Sequence, residues 1–189
     1  MKNEKEYLIL RDEITWRLKA IDTLGTFTYT IFISILGVAL STNIIELFLL
    51  PFVVILPISL KVANHKYSVS FISAYLNQFL EDFNDEECFK WEKFHVKYYE
   101  RNPRMLKEKI IYYGSYAEYV LMCILISIIF WIKYFSQEEI CFTVYQIYGY
   151  ILIQLTITFL VAFITISYID CEKFKLPIIE NWKKVKENE

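Results

Sequence analysis

Four ionisable residues stand where apolar segments meet charged ones, one for each of four apolar stretches: Asp22, Lys61, Glu118 and Asp170. A charge in hydrocarbon is costly, so such residues pair, reach water at a span end, or line a polar path. Three acids and one lysine at similar depth can form an inner charge ring, a cytoplasmic gate or vestibule that selects cations. The plainer reading is a set of solvated or paired boundary charges that fix span depth. A second pattern lies within the first apolar stretch. Thr23, Thr26, Thr30, Ser34, Gly37 and Ser41 recur at steps of three and four, while Phe27, Ile31, Ile35 and Val38 fall elsewhere. That spacing is one continuous helical face. Small faces let helices approach closely in lipid, and Gly37-x-x-x-Ser41 is a small-x-x-x-small pair. The same face can line a pore with hydroxyls, and the two roles can coexist at an oligomer axis. Gln154, Thr158, Ala162 and Thr165 make a second polar or small face in the last apolar stretch.

Little else has the spacing of a reactive site. His65 and His95 are the only histidines, and neither has a carboxylate or Cys at metal-ligand spacing. Cys88, Cys123, Cys141 and Cys171 form no close pair, which excludes the usual zinc and thioredoxin spacings. Nucleophile-elbow, zinc-protease and P-loop motifs are absent. No catalytic residue, metal or cofactor is expected. An intramembrane or lipid-modifying enzyme would need reactive groups clustered at one depth, and only the acids Asp22, Glu118 and Asp170 are candidates.

Elements that must position these residues follow from composition. The 189 residues are 56% hydrophobic, and the apolar ones come in blocks approaching twenty residues, the length of a membrane span. The spans are read as Leu24–Thr42, Ile44–Leu60, Tyr116–Trp131 and Val144–Ile169, with Asn43 as a cap for the second and a kink near Pro51 or Pro57. The fold expected is all-α and integral to a membrane. It comprises an amphipathic helix (1–23), a hairpin (24–62), a helical insertion (63–113), a second hairpin (114–169) and a charged tail (170–189) whose last residues fray. Five of the 20 Lys and Arg residues precede the first span, nine lie from Lys61 to Tyr113 and five in the tail. Lys133 alone falls in an outer turn. Positive charge stays cytoplasmic, so both termini and the insertion are placed inside a bacterial inner membrane.

The cytoplasmic parts carry apolar stripes. Tyr7, Leu10, Ile14, Leu18 and Ile21 share one face, to lie on the membrane or pack on a partner helix. Val69, Ile72, Leu76, Phe79 and Phe83 continue the second span as another such face, and Trp91, Phe94 and Tyr98 follow on a short helix. At 53 residues the stretch from Lys61 to Tyr113 is too small to bury a full core. Phe79, Phe83, Trp91, Phe94 and Tyr98 are therefore candidate partner-binding residues. The Lys and Arg residues between Lys90 and Arg104 alternate with aromatics, but Glu87, Glu92, Glu100 and Glu108 interleave them and the net charge is −2. Anionic lipid suits such a juxtamembrane patch, and no nucleic acid is expected.

The pieces EYLILRDEITWRLKAIDTLGTFTYT, LLPFVVILPISLKVANHKYS and FISAYLNQFLEDF resemble an uncharacterised bacterial family of small membrane proteins. Its members share a charged N-terminal helix, a Pro-containing second span and an "ISAYL…FLE" run. The architecture is also similar to that of membrane effectors of anti-phage defence. That resemblance implies a homo-oligomer that permeabilises the inner membrane when its cytoplasmic helices receive a signal, a protein partner or a small signalling ligand. The alternative from another class is a non-conducting anchor or scaffold that recruits a soluble protein through the insertion.

Overall fold

A computed structural model describes residues 2–42, 44–76, 79, 106–136, 143–169 and 171–187, with side chains at 5–42, 44–76, 79, 117–136, 143–167, 178–185 and 187. Among these residues every element is helical: α1 (Lys2–Ser41), a 3-10 turn (Ile45–Leu49), α2 (Leu50–Tyr75), α3 (Leu106–Ser136), α4 (Val144–Ile169) and α5 (Cys171–Glu187). Four stretches are long and apolar enough to cross a membrane: Lys5–Ser41, Ile45–Tyr75, Ala117–Ser136 and Val144–Ser167. The chain divides into two compact units, one of Met1–Ile21, Asn64–Tyr113 and Tyr168–Glu189, the other of Asp22–Ala63 and Gly114–Ser167.

In the first unit the two amphipathic faces find each other. Tyr7, Leu10 and Ile14 of α1 pack with Val69, Ile72 and Leu76 in one buried cluster. Tyr75 closes it by donating its hydroxyl to Glu6 Oε1 at 2.8 Å. Along α1, Arg17 grips Glu13 at 2.6 Å one turn away. An exposed i,i+4 pair contributes only about 0.3–0.5 kcal/mol, so the apolar seam sets the stability of this unit. The charged tail forms α5, Cys171–Glu187. Ile179 is buried, and Trp182 meets Phe71, Tyr75 and Phe79 at ring-centroid distances of 5.2, 5.2 and 5.6 Å. Aromatic contacts of this kind hold a helix end that charge repulsion alone would loosen.

The second unit holds most of each apolar span. Ile45, Phe48, Phe52, Ile55, Ser59 and Val62 are buried at alternating steps of three and four, a single seam along the second span. Pro51 lies in the first turn of α2, where its missing N–H has no helical partner to lose; Pro57 is interior and takes one donor away. The buried seam on α3 is Tyr119, Met122, Cys123, Ile126 and Phe130. Of the four apolar stretches the second is the most buried, at 44%, and the fourth the least, at 11%. The second span is therefore central to the packing and α4 peripheral. Outward, α3 and α4 show Ile124, Ile128, Ile132, Leu155, Phe159 and Phe163, an apolar surface compatible with a membrane location.

The helix ends are tied individually. Ser41 Oγ, Thr42 Oγ1 and Thr42 N all donate to the Val38 carbonyl, and Lys133 Nζ donates to Leu40 O at 3.4 Å. A cation there meets the negative end of the α1 dipole. Before α4, Thr143 and Gln146 form a reciprocal cap: Gln146 Oε1 accepts from Thr143 N at 2.9 Å, and Thr143 Oγ1 accepts from Gln146 N at 3.4 Å. Thr143→Ala is expected to cost about 1 kcal/mol and to speed amide exchange of the first turn of α4, Val144–Ile147, roughly fivefold. Hydrogen exchange of the protein in micelles checks this, and unchanged exchange there refutes the cap.

Candidate functional site

The hydroxyl face of α1 points out of its unit. Thr26, Thr30, Ser34, Gly37 and Ser41 are all exposed, while Thr28, Phe32 and Ala39 supply the buried side of the same helix. A Cβ built on Gly37 meets nothing within 4 Å, so no packing inside the chain requires its smallness. The hydroxyls are committed to their own helix: Thr26 Oγ1 donates to Asp22 O at 3.0 Å, Thr30 to Thr26 O at 2.9 Å, and Ser34 to Thr30 O at 2.8 Å. Local bonding of this kind lets Ser and Thr sit in an apolar medium without an orphaned donor.

The polar face of α4 is placed differently. Gln154 is 3% exposed, and Thr158 and Thr165 are half-buried. Gln154 Oε1 accepts from Trp131 Nε1 of α3 at 3.1 Å. The exposed α1 stripe and this half-buried α4 face thus stand in different environments.

Of the four boundary charges, Asp170 lies outside the described residues. Asp22 and Lys61 are exposed, and Glu118 is half-buried, where its Oε2 accepts from the Tyr29 hydroxyl at 2.9 Å. Among the described residues no ion pair joins Asp22, Lys61 and Glu118. Glu118 is therefore bound by a hydrogen bond between the first and third spans. At the other end of the same unit, Tyr150 stands beside Glu46, so that each end of the second unit carries a tyrosine near a glutamate.

Phe79 is the described member of the partner-binding set, and it stacks on Tyr75 at 5.0 Å as well as meeting Trp182. Phe83, Trp91, Phe94, Tyr98, His95, Asn43, Cys88 and Cys141 lie outside the described residues, as does the side chain of Cys171. His65 meets Trp16 edge-on at 5.8 Å, and Cys123 is a buried free thiol. Among the described residues no three His, Cys, Asp or Glu side chains come together as metal ligands would.

Three participants escaped the sequence reading: Tyr29 as the partner of Glu118, Trp131 as the partner of Gln154, and Trp182 as the centre of the aromatic cluster. Trp182 had a signal, since Ile178, Ile179, Trp182 and Val185 recur at helical spacing within the charged tail. Tyr29 and Trp131 had none, because each partner lies far away in sequence. No protein-family model, curated protein or solved structure matches the chain.

Proposed function

We propose that the protein is an oligomeric membrane effector that permeabilises a bacterial inner membrane, with both termini cytoplasmic. The observation that carries this reading is the α1 stripe from Thr26 to Ser41, exposed along its whole length. Small polar residues gain little from lipid, so such a face belongs against a copy of itself or against water. A ring of copies meets both conditions, with the stripe at the axis and the apolar faces of α3 and α4 outward. Asp22 stands at the inner end of the stripe, where it adds negative charge to the mouth. The first unit then receives the signal. Anti-phage defence is a setting consistent with this plan by architecture alone.

Membrane potential in bacteria expressing the protein tests it, read with a voltage-sensitive dye. The native chain is expected to depolarise the membrane, and Thr30→Leu with Ser34→Leu to restore at least nine-tenths of the potential at equal membrane abundance. Depolarisation that survives the double substitution sinks the pore assignment.

A second reading, a non-conducting scaffold, is favoured by a different observation. Ile9 and Trp16 of α1 are largely exposed, Trp16 beside its edge contact with His65. Aromatic and aliphatic side chains presented this way suit a protein surface or a lipid interface. Replacing both with Ser and finding lost recruitment of a soluble protein, with membrane potential untouched in every case, supports the scaffold over the pore.

A further inference from the structure

Aromatic side chains crowd the outer ends of α3 and α4. Trp131, Tyr134 and Phe135 close α3, their rings in mutual contact at centroid distances of 5.5, 6.0 and 5.3 Å. Tyr145, Tyr148 and Tyr150 open α4, and the Tyr150 ring packs on Phe130 of α3 at 5.4 Å. The outermost rings are bare: Tyr145 is 89% exposed, Phe135 78% and Tyr148 67%. So much contiguous ring surface is costly in water and marks a face that something covers.

The order of side chains along the two helices says what covers it. Ser136 and Thr143, at the outer ends beyond the rings, are exposed and polar. Next inward of the rings the large exposed side chains are aliphatic: Ile124, Leu125 and Ile128 on α3, and Leu152, Ile153 and Leu155 on α4. Polar, then aromatic, then aliphatic is the profile of a bilayer from water through head groups to acyl chains. Trp and Tyr favour the middle level because each has an apolar body and a polar tip. A soluble protein has no need of that gradient, and the aliphatic surface it would leave bare is continuous with the rings.

The level of the rings sets the depth of the acids. Lys133, among the rings, donates to Leu40 O at 3.4 Å, which brings Leu40 of α1 near the same level. Glu118 lies fifteen residues before Lys133, about 22 Å along α3 at 1.5 Å per residue. A hydrocarbon core is about 30 Å thick, so Glu118 stops short of its inner edge, and any tilt of α3 takes it further in. Asp22 lies eighteen residues before Leu40, about 27 Å along α1 and close to that edge. The Tyr29 hydroxyl, donating to Glu118 at 2.9 Å, supplies a partner at a depth where water does not.

We propose that the rings from Trp131 to Tyr148 form a collar seated among the phospholipid head groups of the outer leaflet, a level that holds Glu118 inside the hydrocarbon and Asp22 at its inner edge. The assignment rests on the membrane-spanning reading of α3 and α4 and is independent of conduction. It parts two acids that the sequence sets at one depth.

The test is tryptophan fluorescence of the full-length protein in phosphatidylcholine vesicles, with bromine quenchers carried on the acyl chains near either the ester or the methyl end. The chain has four tryptophans, so Trp16, Trp91 and Trp182 are replaced by Phe to leave Trp131. Shallow bromines are expected to quench Trp131 about twofold more than deep ones. Tyr148→Trp, with Trp131→Phe added, is expected to match it, and Leu121→Trp in the same background to show the reverse. Leu121 is 60% exposed and lies twelve residues before Lys133, about 18 Å along α3 and near the bilayer centre. The chain that keeps Trp131 also keeps its bond to Gln154, so its profile stands even where Trp131→Phe disturbs α3. Stronger quenching of Trp131 and Tyr148→Trp by deep bromines overturns the collar. Quenching of both by aqueous iodide alone overturns it in favour of a face for a soluble protein. Leu121→Trp quenched best by shallow bromines overturns the depth given to Glu118. Alkaline extraction of membranes scores insertion separately. A chain washed off by carbonate refutes the membrane reading itself, whereas an inserted chain with the wrong profile refutes only the collar.

Discussion

Phe130→Ala is expected to be the most damaging single truncation in the second unit, at about 3–5 kcal/mol. Phe130 is fully buried and meets Trp131 at 5.1 Å and Tyr150 at 5.4 Å. Removing the ring leaves a cavity beside Ile126 and Cys123, both also fully buried. Lipid chains are as apolar as the ring, so the loss comes from dispersion contacts and shape and not from hydration. Tyr150 loses a wall, and Trp131, which donates to Gln154, loses a neighbouring ring. Thermal unfolding in micelles is the measurement, with an expected fall on the order of 10 °C. Phe130→Leu keeps most of the volume and is expected to lose less than half as much. Equal melting of all three proteins excludes this packing.

Leu76→Ala is expected to loosen the first unit by about 2–5 kcal/mol. Leu76 is fully buried in one cluster with Tyr7, Ile14 and Ile72, where the N-terminal helix and the extension of the second span share a core. Proteolysis after the basic residues of α1 reads the opening directly. A loss of 2 kcal/mol raises the open fraction about thirtyfold, and cleavage at Arg11 and Arg17 should rise in proportion. Leu76→Met conserves volume and is expected to stay within a few-fold of the wild-type rate. Cleavage that is indifferent to Leu76→Ala shows that the seam does not hold α1.

Helices declared themselves in the sequence where their period was uninterrupted. The four apolar stretches are long, their breaks coincide with turn residues, and α4 begins at the expected Val144 because Thr143 and Gln146 cap it. The N-terminal stripe and the Val69–Leu76 stripe were legible separately, since each depends only on steps of three and four. Their union was one of several partners open to each. α5 was hidden by its charge: KK and E residues mask an apolar stripe that a count of hydrophobicity misses but a helical projection keeps. The site was less legible. Sequence placed Gln154 with Thr158 and Thr165 on one face, but whether that face turned inward depended on Trp131, 23 residues away. Glu118 was visible as a misplaced charge, and its partner Tyr29, 89 residues distant, was not.

The inward bonding of the α1 hydroxyls has a consequence for the sign of whatever passes. With Thr26, Thr30 and Ser34 donating to their own backbone, their hydrogens are spent and only oxygen lone pairs face outward. In the proposed assembly, a wall of this kind can replace part of the hydration shell of sodium or potassium. It has nothing to donate to chloride. Discrimination against anions would then be a property of backbone geometry, present without a single charged side chain at the constriction, and it would persist at ionic strengths that screen Asp22 at the mouth.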